Sequence, residues 1–437
     1  MKVIEKVDLR INKRISQVIK IFNSVSVVDK SMDEQYLKKF ILPYFQKSLE
    51  TKVRKHDSQI GNYNFVDLFA GAGGLSLGLE QVGFVPSIVV DNFEAANHTY
   101  IFNRPFFDPS KLISDDIKNV HVEDFQRAPL IVGGPPCQGF SSANKQKKED
   151  DDRNQLYKFF VKSVESVNPK IFLMENVEGI LPFKDIIKND FQNIGYSVRI
   201  YRINTSDIGL PQHRKRVFFL GIDNNLSLIH DELYKLFNFE ELTIIKKYSL
   251  FDAIEDLPKL KAKTLRNSTK LEANDWGYTF GPPHTNDSLF SKTLNGEEMF
   301  RFPVLNHKVK FNNDRDIEIY SILKQGEKSD AKSIEHINPY KNRDKVFKDK
   351  FYKLVYSEPS KTITAHMYYD CHMYIHPTQS RGLTPREAAR IQGFPDDYLF
   401  LGSPNEWYRQ IGNAVSPILA RKIGEKLKLI LDRIYKV

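Results

Sequence analysis

The chain has 437 residues, 41% of them hydrophobic and 27% charged, with a net charge of +9 and a pI near 9.1. That length exceeds one ordinary core and points to two domains. No apolar run reaches the roughly 18 residues of a membrane span, the N-terminus has no apolar leader, and the basic excess favours a polyanionic partner. Two cysteines, Cys137 and Cys371, exclude a disulfide framework and suit a reducing, intracellular compartment. There is no Cys-x-x-Cys and no His-Glu-x-x-His, and the eleven histidines form no ligand cluster, so no metal site is expected.

Residues 1–60 read as a separate basic, helical appendage. Ile11, Ile15, Val18, Ile19 and Phe22 recur at helical spacing. Ser31-Met32-Asp33-Glu34 resembles a capping box that opens a second helix, with Tyr36, Leu37, Phe40 and Ile41 on one side. Pro43 should kink or end that helix. The segment holds thirteen Lys/Arg against seven Asp/Glu, so the basic excess of the chain is largely local. It reads either as a solvated appendage packed on the main domain or as an extra contact to nucleic-acid phosphates.

From residue 62 strands and helices alternate, as in a parallel α/β sheet. Asn64–Phe69 reads as a strand, followed by the turn Ala70-Gly71-Ala72-Gly73-Gly74 and a helix through Leu75, Leu79 and Val82. Glycines at such a turn allow a ligand close to the backbone. The dinucleotide fingerprint fails, because Gly71-x-Gly73 is followed by Ser76 where a third glycine is needed. The next strand, Pro86–Val90, ends in Asp91, an acid placed for ribose hydroxyls, although alone it would serve as a helix cap. A helix over Phe93–Asn103 leads to a third turn, Ser114-Asp115-Asp116-Ile117. Three such turns in order indicate an adenosine-containing cofactor.

The fourth strand, Pro129–Val132, ends in Gly133-Gly134-Pro135-Pro136-Cys137-Gln138. Two prolines stiffen this turn and hold the thiol at the carboxyl end of a strand, where open α/β sheets bind ligands. A lone cysteine is more often a buried hydrophobe, but this setting favours a reactive one. The polar stretch Ser142–Asn154 reads as a mobile lid. A helix over Gln155–Val167 precedes a fifth strand, Lys170–Met174, which ends in Glu175-Asn176-Val177. Ser197–Asn204 and Val217–Ile222 form a hairpin-like pair around Gln212-His213-Arg214-Lys215-Arg216. Residues 225–380 lose the alternation and carry Trp276-Gly277-Tyr278, Gly281-Pro282-Pro283-His284 and Asn306-His307-Lys308. Ser360–His366 and Tyr374–His376 read as short strands, and a helix follows Pro417.

Phe69-Ala-Gly71-x-Gly73-Gly74, Pro135-Pro136-Cys137-Gln138, Glu175-Asn176-Val177, Gln212-x-Arg214-x-Arg216, Arg381–Pro395 and Gln410-Ile411-Gly412-Asn413-Ala414-Val415 occur in this order. Together they resemble the ordered motifs of the DNA cytosine-5 methyltransferases, across residues 62–222 and about 357–425. The resemblance implies a Rossmann-like methyltransferase domain with a mostly parallel sheet at 61–224, completed by 405–437. A smaller, mixed target-recognition domain would span 225–404 and face the first across a DNA-binding cleft. It implies S-adenosyl-L-methionine as cofactor, near Phe69, Gly71, Gly73, Gly74, Asp91, Asp116, Ile117, Pro136 and Asn413. It makes Cys137 the nucleophile at cytosine C6. Glu175 would hold N3, with its pKa raised by burial, and Arg216 would hold O2. Arg214 would support the site, and the Pro136 carbonyl would meet the C4 amino group. The expected partner is double-stranded DNA, bound by a monomer in a bacterial cytoplasm at the nucleoid, with a cognate restriction endonuclease acting on the same site. A tRNA cytosine-5 methyltransferase and a catalytically silent DNA-binding regulator are the alternatives.

Overall fold

In the computed structural model, the described residues are 2–26, 33–58, 63–136, 156–226, 230–238, 241, 247–266, 275–285, 288–296, 301–341 and 350–436. The chain divides into two compact units. One comprises 56–209, 213–246 and 414–437; the other comprises 1–55, 210–212 and 247–413.

The first unit is built on a seven-stranded sheet. Its strands are β1 (Tyr63–Leu68), β2 (Phe84–Val90), β3 (Leu112–Ile113), β4 (Leu130–Gly133), β5 (Ile171–Asn176) and β6 (Tyr196–Asn204). After a two-residue strand β7 (Gln212–His213) elsewhere, β8 (Lys215–Asp223) completes it. The order is β3-β2-β1-β4-β5-β8-β6, and β8 alone runs antiparallel to its neighbours. Runs such as Leu130-Ile131-Val132 are buried on both faces because helices cover both sides of a parallel sheet. The order reverses beside β1, between β2 and β4. The carboxyl ends of these strands therefore open into a crevice at the switch point. The C-terminal helix Pro417–Tyr435 packs on the helix Gly74–Glu80 that follows β1, with Leu79, Ile423 and Leu427 all at 0% exposure.

The second unit contains an antiparallel ribbon, β9 (Gly277–Thr285) and β10 (Arg301–Lys308). The glycines and prolines of 277–284 thus lie within a strand, where the sequence suggests punctuation. A two-stranded ribbon has only edge strands, which tolerate the N–H that proline lacks. The strand expected over Ser360–His366 is reduced to β11 (Ser360–Lys361), paired with β7, and Ala365–Tyr368 turns into a 3-10 helix. Arg381, Arg386 and Arg390 of this unit are each at most 1% exposed. Arg381 forms two bonds to the Glu387 carboxylate, at 2.8 and 2.6 Å, and Arg390 Nε donates to Asp396 at 2.8 Å. Buried charge is tolerable only when paired in this way. Gln212, fully buried, donates to the Ile391 carbonyl and accepts from the Ile363 N–H.

The N-terminal helices are part of this unit, which corrects the separate appendage expected for residues 1–60. Phe22 packs on Phe280 at 5.9 Å, Phe45 on Phe302 at 5.2 Å, and Ser48 donates to Asp397 at 2.6 Å. The unit boundaries fall at 246/247 and 413/414, where the resemblance implies 224/225 and 404/405. The second helix is capped by the Asp33 side chain, which accepts from Tyr36 N at 2.7 Å. Ser31 and Met32 lie outside the described residues. Pro43 does not end the helix. A π-helical turn over Leu37–Ile41 precedes it, and the helix runs on through Leu42–Ser58. Lying in the first turn of that helix, Pro43 removes an N–H that the register change has already freed.

Candidate active site

The turn after β1 is fixed by backbone geometry. Phe69 takes φ of 58°, Gly71 55° and Gly73 78°, in the left-handed region. The Ala70 N–H donates to the Val90 carbonyl at 3.2 Å, tying the turn to the end of β2. Asp91 completes the tie: its Oδ2 accepts from the Gly71 N–H and its Oδ1 from the Phe93 N–H, both at 2.8 Å. A Cβ placed on Gly73 would come within 2.5 Å of Tyr100, whereas one on Gly71 would meet nothing within 4 Å. The open space over Gly71 is the cradle that a small-molecule ligand would fill. Gly74, the first residue of its helix, is buried.

Below this turn lies a network that no motif signalled. Asp67, 1% exposed, accepts from the Ser76 hydroxyl, which in turn accepts from Tyr100 Oη at 2.8 Å. Arg104 stacks on the Tyr100 ring at 3.8 Å and donates to the Gly73 carbonyl at 2.6 Å and to Glu80 at 2.7 Å. Burial pushes the Asp67 carboxyl up to about 7, and its Oδ1 finds no partner among the described residues. The third turn is joined to the second by Asn97, which donates to the Asp91 carbonyl at 2.9 Å and to Ser114 Oγ at 2.8 Å. Sequence reasoning missed Asn97, since a lone helical asparagine carries no signal. Asp116 caps the short turn Ile117–Asn119 through Lys118 N at 3.0 Å. Ile117 is 3% exposed and packs in the core.

Glu175 and Arg216, from adjacent strands β5 and β8, form an ion pair at 2.8 Å, each side chain 12% exposed. Glu175 Oε2 lies 3.0 Å from where a Cβ on Gly134 would stand, so the carboxylate rests against the turn that leads to Cys137. Asn176 holds that turn, donating to the Pro135 carbonyl at 3.1 Å. Pro136 is exposed. Arg214, 3% exposed, donates to the Ala414 carbonyl at 3.0 Å, and its own carbonyl accepts from Thr205 N. The structure thus brings Gly134–Pro136, Glu175 and Arg216 together, and separately Phe69–Gly74 with Asp91. Cys137 and the lid expected over 142–154 lie outside the described residues. Asn413 ends the helix Pro404–Asn413 and belongs to the other unit.

The family model described as C-5 cytosine-specific DNA methylase matches residues 63–429. The chain belongs to this family. A type II methyltransferase of Desulfomicrobium norvegicum, M.DdeI, is 33% identical over 399 residues, covering 85% of this chain and 90% of that protein. M.AgeI of Thalassovita gelatinovora is 31% identical, covering 84% and 99%. Among solved structures, a protein described as a DNA modification methyltransferase from an E. coli prophage superposes with a TM-score of 0.63 at 27% identity, covering 85% of this chain and all of that one. S. pombe Dnmt2, at 15% identity and a TM-score of 0.51, shares the fold. The protein is therefore a DNA cytosine methyltransferase, and the fold is that of the S-adenosylmethionine-dependent methyltransferases. Among the described residues, no helix is long and apolar enough to cross a membrane, and no cluster could hold a metal ion.

Proposed function

We propose that this C-5 cytosine methylase modifies one specific duplex sequence through a covalent bond between Cys137 and C6 of a flipped-out cytosine. It would protect bacterial DNA from an endonuclease that cuts the same site, acting in the cytoplasm as a monomer on DNA. The observation that carries the reading is the Glu175–Arg216 pair packed against the Gly134–Pro136 turn.

Cytosine C5 is a poor nucleophile until a thiolate adds at C6. In our reading Cys137 forms that C–S bond while Glu175 gives a proton to N3 and Arg216 bonds to O2, so that no negative charge builds up on the ring. An entering base must exchange the Glu175–Arg216 contact for its own N3 and O2. The Pro136 carbonyl accepts from the C4 amino group, which thymine lacks. Arg214 is a positioning residue, holding Ala414 from the strand edge. S-adenosylmethionine supplies an electrophilic methyl group when bound. Phe69, Gly71, Gly73, Gly74, Asp91, Asp116, Ile117, Pro136 and Asn413 would hold it. A base from solvent then takes the C5 proton, the freed electron pair restores the C5–C6 double bond and expels the Cys137 thiolate, and Glu175 recovers its proton from N3.

The test is to map methylated bases in DNA from cells expressing the protein. The reading expects 5-methylcytosine at one defined sequence, absent with Cys137→Ser. Unmodified DNA beside newly methylated tRNA would favour an RNA enzyme, and no modification at all a silent regulator.

A further inference from the structure

We propose that Asp67 selects the charged cofactor over its spent form, an inference that rests on the reading above. In the free protein its carboxyl keeps a proton. The positive charge of S-adenosylmethionine expels that proton to solvent. The uncharged sulfur of S-adenosylhomocysteine, left when the methyl group has gone, does not.

The carboxyl sits where a negative charge is costly. It is 1% exposed, and its Oδ1 has no partner among the described residues. Its Oδ2 accepts from Ser76, whose oxygen is already engaged by Tyr100 Oη at 2.8 Å. The charges that act on it are those of Arg104, Asp91 and Glu80. Arg104 Nε pairs with Glu80 at 2.7 Å, and its other nitrogens donate to the Gly73 and Tyr100 carbonyls at 2.6 and 3.2 Å. One cation among three carboxylates leaves the buried one expensive to ionise. Burial, the largest cause, pushes its pKa up to about 7.

The same position senses a ligand. Asp91 holds the Gly71 N–H at 2.8 Å, and its charge acts on Asp67. The open space for a ligand lies over that Gly71. A charge placed there acts through protein, where Coulomb energies are several times those in water. The methionine end of either ligand carries an ammonium and a carboxylate, whose fields oppose each other. The sulfonium gives S-adenosylmethionine its net positive charge, and methyl transfer removes it. An ionised Asp67 therefore attracts the substrate form, and its proton returns once only the product form is left.

The test is titration calorimetry of the full-length protein with each ligand between pH 6 and pH 8, in buffers of high and low ionisation enthalpy. The ligands' own amino groups titrate near pH 8, as α-amino groups do at about 7.7–8.0. Wild type is therefore read as a difference from Asp67→Asn, which has the shape of the protonated acid. If S-adenosylmethionine lowers the Asp67 pKa by about one unit, wild type should release about 0.4 proton more than Asp67→Asn at pH 7. Its preference for S-adenosylmethionine over S-adenosylhomocysteine should rise about fivefold more than that of Asp67→Asn from pH 6 to pH 8. Ser76→Ala removes a hydrogen bond that favours the ionised form, so the same rise should move to higher pH. A preference that changes with pH no more than in Asp67→Asn, the same excess of protons with both ligands, or an unmoved midpoint in Ser76→Ala would overturn the role of Asp67. A folded wild-type protein that binds neither ligand would overturn the S-adenosylmethionine reading and the inference with it.

Discussion

The two glycines after β1 separate cofactor binding from folding. Gly71 and Gly73 both have left-handed φ, 55° and 78°, so alanine at either costs about 1–2 kcal/mol of backbone strain. Reduced freedom of the unfolded chain returns about 0.4–1 kcal/mol. For Gly71→Ala the account ends there, because nothing lies within 4 Å of the new methyl, and a net loss of about 1 kcal/mol follows. For Gly73→Ala the methyl would sit 2.5 Å from Tyr100 and 2.7 Å from Arg104. Arg104 is held by Glu80 and the Gly73 carbonyl and cannot move cheaply. Overpacking adds about 1–3 kcal/mol, for a total near 3. Thermal melts with and without S-adenosylmethionine make the assay. At a concentration of about 100 times Kd, the cofactor should stabilise wild type by about 2.7 kcal/mol. Gly71→Ala should melt near wild type without cofactor but lose most of that shift, because its methyl fills the cradle. Gly73→Ala should melt well below wild type. A full cofactor shift in Gly71→Ala would refute the placement of the cofactor over this turn.

Asp67 has a folded-state pKa raised to about 7 by burial, above its ordinary value of 3.8. The folded state thus binds more protons across that window, and stability falls as pH rises through it. Asp67→Asn removes this dependence. Its melting temperature relative to wild type should rise between pH 5 and pH 8, by the equivalent of about 2 kcal/mol; a flat or falling difference would count against the buried acid. Phe45, 4% exposed between Phe280 and Phe302, should cost about 3–5 kcal/mol when replaced by alanine, read by denaturant titration. A loss under about 0.5 kcal/mol would restore the N-terminal segment as a dispensable appendage.

Strand-end residues were legible in the sequence because buried parallel strands read as continuous apolar runs. The residue after each run must then lie at the sheet's carboxyl edge, as Asp91, Gly134 and Glu175 do. The pairing of Glu175 with Arg216 was not legible. It depends on β8 inserting antiparallel beside β5, a long-range register that local pattern does not encode. The same holds for Asp67, Ser76, Tyr100 and Arg104, each unremarkable alone. Local rules failed where tertiary packing outweighed them. Pro43 is accommodated by a π-turn, and Pro282 and Pro283 sit in a ribbon whose outer edges need no donor. The basic charge of residues 1–60 masked Phe22 and Phe45, which tie that segment into the unit with 247–413.

The central claim is that Cys137 becomes bonded to C6 of a DNA cytosine. A fluorine at C5 cannot depart as a cation, so the adduct should persist once the methyl group has been transferred. A pool of random duplexes in which every cytosine is 5-fluorocytosine avoids the need to know the site. Mixed with wild-type protein and S-adenosylmethionine, it should give a denaturation-resistant complex whose cross-linked peptide contains Cys137. The complex should be absent without cofactor and absent with Cys137→Ser. A folded protein that binds cofactor yet traps no duplex, or one cross-linked through another residue, would contradict the account.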